Sequence, residues 1–124
     1  MGTRSQVFMV NSGVYLYQHR DGYNLPLEVQ EALKLKARWT DEEYLTRIIF
    51  ETMLENQSDK TTGFGIGTIQ HSDIEWLVEI NAENQSIKIS RWGWLEEKGY
   101  GELALIWDGS FEQFINIDAS EEAL

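Results

Sequence analysis

Apolar residues alternate with polar ones near both ends of the chain and recur every three to four positions in between, so the pattern predicts strands, then helices, then strands. Residues 5–10 and 14–19 are β-branched and aromatic runs joined by Asn11-Ser12-Gly13, which predicts a β-hairpin whose turn uses the glycine for positive φ. Asp21-Gly22 breaks the second run. Asn24 then stands ready to cap a helix with Pro26 in its first turn, where a missing N–H costs nothing. Leu25, Val29, Leu33 and Ala37 make the apolar stripe of that helix, widened by Leu27 and Ala32. Thr40 and Glu43 have the spacing of a capping box, and Asp41, Glu42 and Glu43 place negative charge at the positive end of a second helix dipole. Leu45, Ile48, Ile49, Met53 and Leu54 carry this helix to about Asn56.

Alternation returns after the polar loop 57–62. Gly63, Gly65 and Gly67 leave one face of a short strand bare, and a ring from Trp76, Trp92 or Trp94 is expected to cover it. Residues 74–81 and 86–92 predict a hairpin across Ala82-Glu83-Asn84, Leu103 to Trp107 a further strand, and Asp108-Gly109 a turn. Ser110 and Gln113 are spaced to cap a short helical turn that docks Phe111, Phe114 and Ile115. The expected fold is α+β: a mainly antiparallel sheet with two helices inserted after an N-terminal β-hairpin. Residues 1–117 form one domain, and 118–124 read as an acidic flexible tail.

Composition narrows the function more than the fold. With 124 residues, 42% hydrophobic, the chain fits one globular domain and not a disordered segment. The absence of cysteine removes disulfides, thiol nucleophiles and thiolate metal sites. No apolar run approaches the ~18 residues of a membrane span, and the opening segment lacks the apolar stretch of a secretory signal, so a cytoplasmic location is expected. The net charge of −11 is uneven: residues 1–40 hold five bases and three acids, the remainder five bases and eighteen acids. Such a field disfavours nucleic acid and anionic membranes as direct ligands and favours a basic protein surface.

Two histidines each precede an aspartate by two residues, His19-Arg20-Asp21 and His71-Ser72-Asp73. In extended backbone this spacing puts both side chains on one face, where a carboxylate orients an imidazole; convergence of both pairs would make a metal site of His19, Asp21, His71 and Asp73 in a small metal-dependent hydrolase. More often, a histidine at a strand end is hydrogen-bonded structure. The glycine run 63–67 lacks the Lys-Ser/Thr helix of a phosphate loop, and no Gly-x-Ser-x-Gly elbow is present. No cofactor is expected. Trp92-Gly93-Trp94, with Tyr100 and Trp107, reads first as core volume and second as a binding platform. Glu96, Glu97 and Glu102 stand where a nucleic-acid platform needs Lys or Arg.

Gly2-Thr3-Arg4-Ser5 and Tyr17-Gln18-His19-Arg20-Asp21-Gly22-Tyr23 resemble the opening of a family of small bacterial and phage proteins, which begin (Ser/Gly)-Thr-Arg-Ser and close a hairpin with Tyr-x-His-x-Asp-Gly-Tyr. The resemblance spans roughly the first 25 residues and implies no activity. It does imply that Arg4, His19 and Asp21 act together, with an Arg4–Asp21 pair across the hairpin end as the physical form. The functional expectation is a non-catalytic acidic protein-binding module, an inhibitor or regulator of phage type acting on a basic, nucleic-acid-binding host protein. Glu51, Glu55 and Asp59 along the second helix and its exit, flanked by Glu75 and Glu79, are the expected binding row.

Overall fold

Strand β1 (Ser5–Met9) lies inside the sheet because both of its edges are paired, with residues 14–18 on one side and 76–80 on the other; Ser5, Val7 and Met9 are buried on one face and Gln6 on the other. The computed structural model describes residues 3–55 and 57–124. After β2 (Val14–Gln18) come a 3-10 turn (Gly22–Asn24), α1 (Leu25–Lys34), α2 (Glu42–Leu54), β3 (Phe64–Gly67), β4 (Trp76–Asn81), β5 (Ser86–Leu95), β6 (Tyr100–Ser110) and α3 (Phe111–Phe114). The sheet order is β3-β2-β1-β4-β5-β6. Every neighbouring pair is antiparallel except β1 with β4, which the long excursion through the helices makes parallel. The α+β class, the hairpin and the two inserted helices are as the hydrophobic periods predict.

One face of the sheet carries the helices. Val7, Met9, Leu16, Trp76, Val78, Ile80, Ile87 and Ile89 meet Leu25, Val29 and Leu33 of α1, Leu45, Ile49 and Met53 of α2, and Phe111 and Phe114 of α3 in one core. Trp39 closes the end of that core, donating its indole N–H to Leu33 O at 3.0 Å and meeting Phe111 edge-on at 5.5 Å. Ser110 and Gln113 form the expected capping box at α3. No described helix is long and apolar enough to cross a membrane.

Several local expectations are corrected. Asp41, not Thr40, caps α2, and it does so without a side-chain bond, because a turn from Arg38 to Asp41 sets the entry one residue later. Helix α1 stops at Lys34, so Ala37 lies beyond the stripe and is exposed. The proposed end of α2 at Asn56 falls outside the described residues. Asp108 and Gly109 continue β6, opposite Lys88 and Ile87, rather than turning. Tryptophan rings do not cover the glycine strand, since Trp76 faces the core and Trp92 and Trp94 stand on β5, with three strands between it and β3. The 118–124 segment is docked: Ala119 is buried, Leu124 packs on the core, Arg91 holds Glu121 at 3.1 Å, and just before it Gln30 of α1 donates to Phe114 O and Ile117 O, each at 2.8 Å. Ala119, Ala123 and Leu124 in an acidic stretch carry no period, which is why the sequence reads as a loose tail.

Candidate functional site

The two motifs of the N-terminal segment meet in space. Gly22 donates its N–H to Thr3 O at 2.9 Å, and a Cβ at Gly22 would lie 2.7 Å from that oxygen and 2.8 Å from Ser5 Cβ. Asp21 reaches this contact by adopting the left-handed region at φ 55°, and Gln18 holds the bend by donating from Nε2 to Arg20 O and Asp21 O. Arg4 pairs with Asp73 at 3.4 Å instead of with Asp21, which accepts from the Tyr23 hydroxyl at 3.3 Å. The expected Arg4–Asp21 pair is therefore replaced: the left-handed turn carries Asp21 to the Tyr23 hydroxyl, while Arg4 meets the loop that enters β4.

Under this bend lies a polar cluster in which Ser5 Oγ, Gln18 Oε1 and Glu28 Oε1 are buried without hydrogen-bond partners. Burial pushes the Glu28 carboxyl from 4.5 up to about 7; the facing Gln18 amide works against the rise and the Asp21 charge adds to it. The folded chain thus keeps a proton that the unfolded chain has shed, and stability falls as pH rises from about 4.5 through about 7. After discounting for the partial exposure of the carboxyl, the loss is about 1–2 kcal/mol. Glu28→Gln is expected to raise stability by about that amount at pH 8 and to leave it nearly unchanged at pH 5, as read by urea unfolding at the two pH values.

The histidines come together around an aromatic ring rather than a metal. Tyr17 Oη lies 3.0 Å from His19 Nδ1, and its ring lies 4.4 Å from the His71 ring, tilted by 31°. Neither histidine is paired with its own aspartate, because the His-x-Asp segments are a left-handed bend and a turn, not extended strands. Asp73 is drawn to Arg4 and Asp21 to Tyr23. Among the described residues no group of three or more His, Cys, Asp or Glu side chains is placed to hold a metal ion. The His19, Asp21, His71 and Asp73 constellation of the hydrolase alternative is not assembled.

The side of the sheet away from the helices is the open one. Gln6 fastens the 68–73 loop across part of it, donating to Ile69 O at 3.2 Å and accepting from His71 N–H at 2.9 Å. Phe8 stacks on Tyr15 at 4.4 Å beside this loop. Beyond Arg91 only Trp92 still reaches across, donating its N–H to Glu75 O at 2.8 Å, and from Gly93 on β5 and β6 run as a two-stranded ribbon. Alternation in this ribbon puts Trp92, Trp94, Leu103 and Leu105 on the open side. Trp92 is 43% exposed, Trp94 58% and Leu105 54%. The Trp92 ring lies over Gly101, so close that a Cβ there would displace it, and it walls a groove of about 230 Å³ with Ser72, Asp73, Ile74 and Glu75. Exposed indoles beside two carboxylates make a surface suited to a cationic, partly apolar ligand.

Family models, curated proteins and solved structures give no match to this chain. Its site is therefore read from its own geometry. Of the expected acidic row, Glu51 is bound by Arg47 at 2.6 Å, and Glu55 shares a concavity with Arg47 and Lys60, so bases interrupt the charge along α2. Asp59 closes the loop before β3, its carbonyl accepting from Thr62 and Gly63. Glu75 and Glu79 alternate with Trp76, Val78 and Ile80 and so project from the opposite, open side of the sheet. The five acids do not form one row. The surface that sequence reasoning assigned to the core is the Trp92–Trp94 ribbon. A legible signal existed, namely that the β5 and β6 runs are longer than the β4 run they would pair with.

Proposed function

We propose that the chain is a non-catalytic, acidic protein-binding module that engages a basic partner, as an inhibitor or regulator of a nucleic-acid-binding protein, through the open side of its sheet. The observation that carries this reading is the exposed Trp92, Trp94 and Leu105 surface bordered by Asp73 and Glu75. Large exposed apolar side chains grouped on one side of a small domain mark a contact site, and tryptophan is the residue type most enriched among binding hot spots. The net charge of −11 favours approach of a basic surface and sets a strong salt dependence on the rate of association.

The test compares two double variants against a partner captured by the full chain and then purified. Trp92→Ser with Trp94→Ser is expected to abolish binding, whereas Glu51→Lys with Glu55→Lys is expected to weaken it only through the overall field. Retention that is insensitive to salt and to the tryptophan pair, but lost on reversing Glu51 and Glu55, would move the site to α2 and refute the open-sheet reading.

A further inference from the structure

Strand β6 ends the sheet, and its outer side is unpaired. Every second residue of an edge strand turns its N–H and C=O outward, and among the described residues no backbone group of 101–109 bonds to backbone outside the β5 ladder. The six residues Tyr100–Leu105 keep regular register before the irregularity between Ile89 and Ser90, which leaves Ile106 as the extra residue. This stretch carries no proline and no lysine, the usual guards of an exposed edge. Its side chains sort by face: Leu103 and Leu105 on the open side with Trp92 and Trp94, and Tyr100, Glu102 and Ala104 on the other.

Two candidate occupants differ in charge. A second copy added along this edge would bring together two chains of −11 each. That pairing repels. Residues 96–102 hold Glu96, Glu97 and Glu102 against Lys98, which already bonds Glu102 at 3.0 Å, so the end of the ribbon remains acidic.

Resting on the protein-binding reading above, we infer that β6 receives an extended segment of the partner as a seventh strand, one in which Lys or Arg alternates with apolar residues. The basic side chains then compete with Lys98 for Glu102 on one face while the apolar ones pack on Leu103, Leu105 and the two indoles on the other. Main-chain bonds along Tyr100–Leu105 supply affinity, and the alternation supplies specificity.

The probe is a set of nine-residue peptides, with the full chain in solution. The first alternates Arg with Val, the second has the same composition with charges and valines in separate blocks, and the third is the first with N-methyl groups on alternate amides. The alternating peptide is expected to bind at least about tenfold tighter than either control and to slow amide exchange at Tyr100–Leu105. Equal binding of all three would overturn strand addition while leaving the protein-binding reading intact, because charge and apolar content alone would then suffice. Binding of none would also overturn strand addition, and the tryptophan variants with the purified partner would still decide the broader reading on their own.

Discussion

Gly22→Ala is expected to destabilise the fold by about 2–4 kcal/mol. The position has no left-handed backbone, so the cost is steric: the new Cβ would approach Thr3 O to 2.7 Å, Ser5 Cβ to 2.8 Å and Ser5 Oγ to 2.9 Å. Two of these atoms belong to β1, at the centre of the sheet, and of the three only the Ser5 hydroxyl could turn away. Relief requires moving the bend away from β1, which lengthens the 2.9 Å bond from Gly22 N–H to Thr3 O. Overpacking of this kind costs about 1–3 kcal/mol, and a lost buried hydrogen bond adds about 1 kcal/mol. Gly67→Ala is the matched control, because a Cβ there meets nothing within 4 Å. It should change stability by no more than about 0.5 kcal/mol. Thermal unfolding of the two variants checks the pair, and a Gly22→Ala protein as stable as Gly67→Ala would show that the N-terminal contact is not needed.

Replacing both Trp92 and Trp94 with serine is expected to weaken partner binding by at least about 100-fold while leaving the domain folded. Each buried interface tryptophan contributes on the order of 2 kcal/mol or more on truncation, and two neighbours on one side of a ribbon fall within one contact area. Folding should change little, because both indoles are exposed and the core cluster contains Trp76, with Trp107 packed against it, instead. The single replacements should each cost less than the pair, and the excess in the pair reports their coupling. Isothermal titration against the purified partner gives the number, with circular dichroism to confirm the fold. A loss below tenfold for the double variant would place the contact elsewhere.

The sequence makes some of this legible and hides the rest for identifiable reasons. Val7, Met9 and Leu16 alternate, and Leu45, Ile49 and Met53 recur at helical spacing, so the elements and their buried faces follow from period alone. Neighbour order does not. That β4 joins β1 in parallel while β3 becomes the far edge depends on how the α1–α2 unit lies across the sheet, and no local pattern records it. Asp21-Gly22 reads as an ordinary turn, although Gly22 is required by its approach to Thr3 and Ser5, contacts across nineteen and seventeen positions. Arg4 and Asp73 are sixty-nine positions apart, and nothing in either local sequence pairs them. The tryptophans are the most instructive case. Trp76 and Trp92 are the same residue type in similar alternating runs, yet one is 1% exposed and the other 43%. The difference lies in whether helices cover the face and whether a neighbouring strand extends that far.

On the proposed function, the open side of the sheet and its ribbon, not the acidic helix, meet the partner. Amide hydrogen exchange of the full chain with and without the purified partner tests it most directly. Slowed exchange is expected to concentrate in residues 91–106, with α2 residues 42–54 unchanged. Protection confined to α2 and the loop to Gly63, with the ribbon exchanging as in the free chain, would contradict it.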